Sequence, residues 1–258
     1  MKQSVRALGW AINIFLIMLL LFTITVVYSA LLIRPSFGEP LLDSSGGTFT
    51  VSLPLTLYNG GFYDISGLNI TTRATDYQGS LVTSSTTLFP LVSGETSATI
   101  RHNMSISLEQ AATTNLSHLL FTDSDLDVSA HLRLVYARIF PFEISFNMSM
   151  PWGAPFANLT LGGISVVPVN ITHSRVSIPV SFENHSFLEM TGVISLEIVD
   201  NVGNVVGTSS TSFDAPPGNP SGATIEILMS GNPSNIRNAR LSLETPYFSY
   251  GPVVMPLV

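Results

Sequence analysis

The chain has 258 residues, 45% of them hydrophobic and only 10% charged, with a formal net charge of −7 and no cysteine. The lack of cysteine excludes disulfides, thiol catalysis and Cys-ligated metal. Lys2 is the one lysine, and all 17 acidic residues follow the first apolar segment, against eight arginines there, so the tail carries +2 and the remainder −9. Such acidity argues against nucleic acid as a partner and against a polybasic grip on lipid head groups.

Trp10 to Ile33 is an apolar run that follows Lys2 and Arg6 and stops at Arg34. At 1.5 Å per residue it is long enough to cross a bilayer as a helix. Its length and bulky Tyr28, at −3 to the best cleavage site after Ala30, favour an uncleaved anchor over a signal peptide. The positive-inside rule then places residues 1–9 in the cytoplasm as a tail, with residues 10–33 as the single transmembrane helix of a cell-membrane protein. Residues 34–258 follow outside. The segment 34–47 reads as a linker that would stretch to about 45–50 Å when extended.

The exterior repeats itself. Val51-Ser-Leu-Pro-Leu-Thr-Leu-Tyr-Asn59 matches Val176-Ser-Ile-Pro-Val-Ser-Phe-Glu-Asn184, Phe62 matches Phe187, Asp76-x-x-Gly79 matches Asp200-x-x-Gly203, and Ala98-Thr-Ile100 recurs as Ala223-Thr-Ile225. Two domains of one fold are predicted, 48–150 and 156–258, joined by the Pro151–Pro155 linker with Trp152 docked between the sandwiches or over the end of one core. Each unit reads as β. Val176, Ile178, Val180 and Phe182 alternate with polar residues or proline, which gives one buried and one wet face. Pro54 and Pro179 lack an N–H and suggest edge strands or strand ends. Asp76-x-x-Gly79 and Asp200-x-x-Gly203 suit hairpin turns. Phe140 to Met150 alternates most clearly of all. Residues 107–121 approximate helical spacing and predict a short helix over one sandwich edge. In the second unit Asn232-Pro233 suggests a turn instead. The fold class is all-β: an N-terminal transmembrane helix and two tandem β-sandwiches, the first with a short helix.

The repeats resemble the water-stress and hypersensitive-response domain of the late embryogenesis abundant-like proteins. The resemblance rests on an alternating strand ending in Asn59 or Asn184, a second strand, a turn, and a small-residue stretch such as Val205-Val-Gly-Thr208. Gly60 and His185 stand where that family usually has proline. The resemblance implies a seven-stranded sandwich with one helix and no catalytic residues, and it suits an archaeal membrane-anchored protein. An immunoglobulin-like sandwich is the alternative.

Seven acceptor sequons stand outside, at Asn69, Asn103, Asn115, Asn147, Asn158, Asn170 and Asn184. Alternation puts Asn69, Asn103, Asn147 and Asn170 on the outward phase of their strands, which a glycan requires. These seven are the candidate site residues of a glycoprotein. Asp123-Ser-Asp-Leu-Asp127 resembles the start of a Ca²⁺ loop but lacks the later Gly and Glu, and reads as an acidic loop. The five histidines show no metal-ligand spacing. No nucleophile elbow, phosphate loop or dinucleotide fingerprint is present. No catalytic, cofactor or metal residue is assigned. The sequence therefore predicts a non-enzymatic structural or interaction protein of the cell envelope, partnered by the bilayer through residues 10–33 and by proteins in the membrane or envelope. An accessory single-span subunit of a membrane enzyme or transport complex is one alternative, and a solute- or polymer-binding module is another.

Overall fold

The structure, a computed structural model, describes residues 2–200, 203–230, 236 and 238–257. Helix α1 runs Lys2–Ala30. Its stretch Arg6–Ala30 has a mean hydropathy of 2.5 and is almost wholly unburied. A helix that is apolar all round suits a solvent in which every backbone group must be satisfied internally. The helix stops three residues short of the predicted end. Leu31 and Leu32 turn back onto Val27 and Ser29, and Pro35 bars Arg34 from helical geometry.

Two β-sandwiches follow. In the first, β1 (Ile33–Phe37) and β2 (Leu41–Ser45) share one edge of β3 (Thr48–Asn59), and β6 (Thr96–Ser107) takes the other edge. The facing sheet has the order β5-β4-β7-β8, from β4 (Ile65–Thr75), β5 (Leu81–Val92), β7 (Ser124–Tyr136) and β8 (Phe140–Trp152). The second sandwich repeats this plan. Strands β9 (Ala157–Leu161) and β10 (Ser165–Pro168) flank β11 (His173–Asn184), with β14 (Asn219–Ser230) opposite. Its other sheet is β13-β12-β15-β16, from β12 (Met190–Val199), β13 (Val205–Ala215), β15 (Asn238–Glu244) and β16 (Ser249–Pro256). All pairings are antiparallel.

The segment 34–47 is therefore not a linker. It supplies most of β1 and all of β2, whose partners run Ile33↔Asn59 to Phe37↔Leu55 and Leu41↔Ser52 to Ser45↔Thr48. The repeat thus begins at Ile33, matched by Ala157. Pro54 and Pro179 are not on edge strands either: each sits inside a strand paired on both sides. The missing N–H falls where the edge strand is split, and the chain crosses it by the bonds Gly38 N–H to Pro54 O, 2.8 Å, and Gly162 N–H to Pro179 O, 2.7 Å.

The predicted phases hold. Phe49, Leu55 and Leu57 point inward from β3, and Val176, Ile178, Val180 and Phe182 from β11. Both Asp-x-x-Gly turns form, with Gly79 N–H on Asp76 O and Gly203 N–H on Asp200 O. Asn59 and Asn184 explain why each first strand ends in asparagine. Both are fully buried. Asn184 Nδ2 donates to Leu188 O and Ala215 O, while its Oδ1 accepts from Ser186 N–H and Oγ–H. Asn59 ties its corner by donating to Tyr63 O, Val92 O and Ser93 O. These amides satisfy carbonyls that the sheet-to-sheet crossing leaves unpaired.

Three further expectations are revised. The helix predicted over 107–121 is broken into α2 (Leu108–Thr113), capped by Ser107, and a 3₁₀ turn at Ser117–Leu120. The hydroxyls of Thr113 and Thr114 bond back to Gln110 O, and Thr114 is extended. The α2 segment packs on β16 of the second sandwich. The Asn232-Pro233 turn lies outside the described residues. The strand predicted at Phe140–Met150 forms as β8, but the apolar face that its alternation implies is the second revision. It lies on the core-side phase, paired with Leu126, Val128, Ala130 and Leu132, yet Phe142, Ile144, Phe146 and Met148 are 44–60% exposed. Strand β8 is the edge of a four-strand sheet facing one only three positions wide, so it overhangs. The third concerns residues 151–155, since β8 continues through Trp152 and β9 begins at Ala157.

One apolar cluster runs from Phe49, Ile106 and Trp152 of the first sandwich into Phe156, Phe182 and Phe213 of the second. A separate cluster, with Leu57, Ile65, Leu68 and Tyr136, receives Val26 of α1. Between Ile100 of one and Met104 of the other lies buried His102, hydrogen-bonded to Thr72 Oγ1 and Thr87 Oγ1. Burial lowers its pKa, which keeps the imidazole neutral.

Candidate functional site

The first and second sandwiches meet end to end. Trp152, at the end of β8, is buried, donates Nε1–H to Leu119 O and sits edge-on to Phe49. Phe187 also stacks on Phe49, at 5.0 Å, and Phe121 lies 4.8 Å from Tyr250. Trp152 thus covers the end of the first core and belongs to the apolar cluster that continues into the second sandwich. Gly153 allows the approach, because a Cβ there would fall 2.0 Å from His185 O.

A polar knot closes the joint. Asp123 follows the 3₁₀ turn and precedes β7, while His185 follows the corner Asn184. Asp123 Oδ1 accepts from Ala154 N–H at 2.8 Å, and His185 N–H donates to Ala154 O at 3.0 Å. The His185 ring lies between two carboxylates, with Nδ1 2.6 Å from Asp123 Oδ2 and Nε2 2.8 Å from Glu183 Oε2. The bond to Asp123 raises the His185 pKa, and the bond to Glu183 adds to it. Partial burial would raise the Asp123 pKa, but the Ala154 amide and His185 outweigh it and the net shift is downward.

The knot borders an open cleft of about 550 Å³ that Ser124, Asp125 and Phe187 also line. His, Asp and Ser therefore converge here, which sequence reasoning missed: Asp123 and His185 are 62 residues apart. The only trace was that His185 replaces the Gly60 of the first repeat. The arrangement is not a nucleophilic triad. Both imidazole nitrogens are held by carboxylates, so none faces Ser124, whose buried Oγ has no hydrogen-bond partner. The knot can hold two domains together and respond to pH. Its bonds need imidazolium, so their contribution is full below the ordinary His value of 6.5 and is lost as pH rises through the raised value. The Asp123 contribution is present above 3.8 and is lost as pH falls through its lowered value. Melting followed between pH 5 and 9 is expected to show a small loss of stability at the alkaline end that His185→Gln removes.

The acidic run is not a loop beyond Asp123, because β7 begins at Ser124. Asp125 and Asp127 lie on β7, exposed and paired with Pro151 and Ser149. Among the described residues, no group of three His, Asp or Glu side chains is placed to hold a metal ion. Asn103, Asn115, Asn147, Asn158 and Asn170 are exposed and Asn69 is partly so. Asn184 is the correction: its side chain is 0% exposed and both amide hydrogens are taken, so an oligosaccharide has no access in the folded chain.

The fold and this joint define a tandem β-sandwich protein behind an N-terminal apolar helix. Neither protein-family models nor curated protein sequences match the chain. Among solved structures it is similar to red sea bream transglutaminase (14% identity, TM-score 0.29), covering 88% of this chain and 31% of that one. It is similar to a putative β-galactosidase from Bacteroides fragilis (12%, 0.32), covering 81% and 32%. A bacterial adhesin from Mobiluncus mulieris is similar at 9% and 0.31, covering 82% and 80%. The chain spans about a third of the length of the first two.

Proposed function

We propose that this is a non-enzymatic, membrane-anchored structural or interaction protein of the cell envelope, with the N-terminus cytoplasmic and both sandwiches outside. The observation that carries this reading is the bare apolar surface of α1 between Arg6 and its last turns, set against sandwiches whose joint holds together through apolar stacking and a clamped histidine. A chain acidic beyond the helix and basic before it suits that orientation. Glycans at Asn69, Asn103, Asn115, Asn147, Asn158 and Asn170 and the water-stress-domain kinship belong to the same proposal. A second reading, an accessory subunit of a membrane complex, is favoured by one feature, the exposed row Phe142, Ile144, Phe146 and Met148 on the β8 edge. Protease added to intact cells is expected to digest both sandwiches and spare the tail. Digestion only after lysis would contradict the orientation.

A further inference from the structure

The last turns of α1 do not stand clear of the first sandwich. The Phe22 ring lies 5.8 Å from Tyr63 and 6.5 Å from Phe140. Thr25 Oγ1 meets the Tyr63 hydroxyl at 2.9 Å. Val26 and Ser29 are buried, and the Ser29 hydroxyl meets the Tyr136 hydroxyl and accepts Phe62 N–H. Gly61 makes room, since a Cβ there would fall 2.5 Å from Ser29 O.

Length sets the depth. The rise from Arg6 to Phe22 is about 24 Å, and the hydrocarbon layer is about 30 Å thick. A span that begins at Arg6 reaches its far boundary near Val26, beside residues already packed on the sandwich. That end of the sandwich must then lie within the interface rather than above it.

Its surface has the matching chemistry. Tyr28, Leu31, Phe62 and Ile139 are 57–77% exposed. Tyr28 and Phe62 stack at 6.4 Å. The loops that carry Phe62 and Ile139 are tied together through Glu95 N–H to Gly61 O and Ala137 N–H to Asp64 O. The β7–β8 hairpin turns through the three residues Ala137 to Ile139, with φ of 51° at Ala137 and 61° at Arg138, a region that favours Gly or Asn. Arg138 is 79% exposed, with Asp64 Oδ2 3.7 Å away. Aromatic, aliphatic and arginine side chains ringing a helix exit make up an interfacial belt. In the second sandwich the equivalent Phe187 packs on Phe49 of the first. At the opposite end of the first sandwich, continuity with α1 makes the bilayer the occupant.

We propose that this end of the first sandwich is seated in the bilayer interface, with Phe62 and Ile139 in the upper acyl region and Arg138 at phosphate depth. Helix, lipid surface and sandwiches then hold one fixed geometry. The proposal rests on reading α1 as a membrane span. Glu95 and Asp64 at the same end mean that anionic lipid is not required, so phosphatidylcholine is the probe.

The cysteine-free chain permits single labels. Full-length Phe62→Cys, Ile139→Cys, Leu31→Cys, Met18→Cys and Ile171→Cys proteins, each carrying an environment-sensitive fluorophore, are placed in phosphatidylcholine nanodiscs with acyl chains brominated near the head group. Positions 62, 139 and 31 are expected to be quenched at least twofold relative to 171, and 18 to be quenched as well. Quenching at 18 with 62, 139 and 31 indistinguishable from 171 overturns the seating and leaves the span standing. No quenching at 18 overturns both. Position 31, beyond the helix end, guards against loosening of the docked helix by loss of the Phe62 ring.

Discussion

Replacing Ile178 with aspartate is expected to unfold the second sandwich, at a cost of about 3–5 kcal/mol. Ile178 is fully buried in the middle of β11, paired with Ile225, and belongs to the cluster shared by both sandwiches. A carboxylate there lies in the apolar cluster and must either ionise in it or take up a proton. Ser181→Asp, on the exposed phase of the same strand, is the control and should be close to neutral. Equal melting temperatures for the two variants would mean that the inward phase of β11 is wrongly assigned.

Asn184→Ala carries the second large effect. The substitution strands Ala215 O, leaves Leu188 O only the longer bond from Ser186 Oγ at 3.3 Å, and removes the acceptor of Ser186 N–H. Buried groups left without partners cost about 1–3 kcal/mol apiece, so a loss of about 2–4 kcal/mol is expected, with Asn59→Ala behaving alike in the first sandwich. Chemical denaturation of both variants checks this. Neutral substitutions would show that water replaces the amide and that the corner does not depend on it.

These two residues also mark how far the sequence could be read. Period-two alternation is a local signal, so the inward face of β11 and the Asp-x-x-Gly turns were legible, and the fixed repeat spacing revealed two copies of one fold. Asn184 was legible as a repeated residue but not as a buried one. Its role depends on carbonyls from β13 and from the β11–β12 corner, which only the folded sandwich brings together. For the same reason its sequon misled, because a sequon specifies chemistry and not access. The segment 34–47 looked like a linker because β1 and β2 are short and polar in composition, and their pairing is dictated by the opposite strand. The knot at His185 was invisible because its three carboxylate and imidazole groups come from two domains. The α1 run was the plainest signal of all, yet its last turns are also part of the first sandwich's core, a double use that hydropathy does not register.

The contacts of Trp152, Phe49, Phe187 and the His185 knot are expected to hold the two sandwiches in one fixed arrangement. Distances between nitroxides on Asn103→Cys and Glu226→Cys, both on exposed strand positions of different sandwiches, test it by pulsed electron paramagnetic resonance on the full chain in nanodiscs. A single narrow distance distribution is expected. A broad or multimodal distribution at neutral pH would contradict the account, because it would mean that the domains move independently about the 153–156 connection.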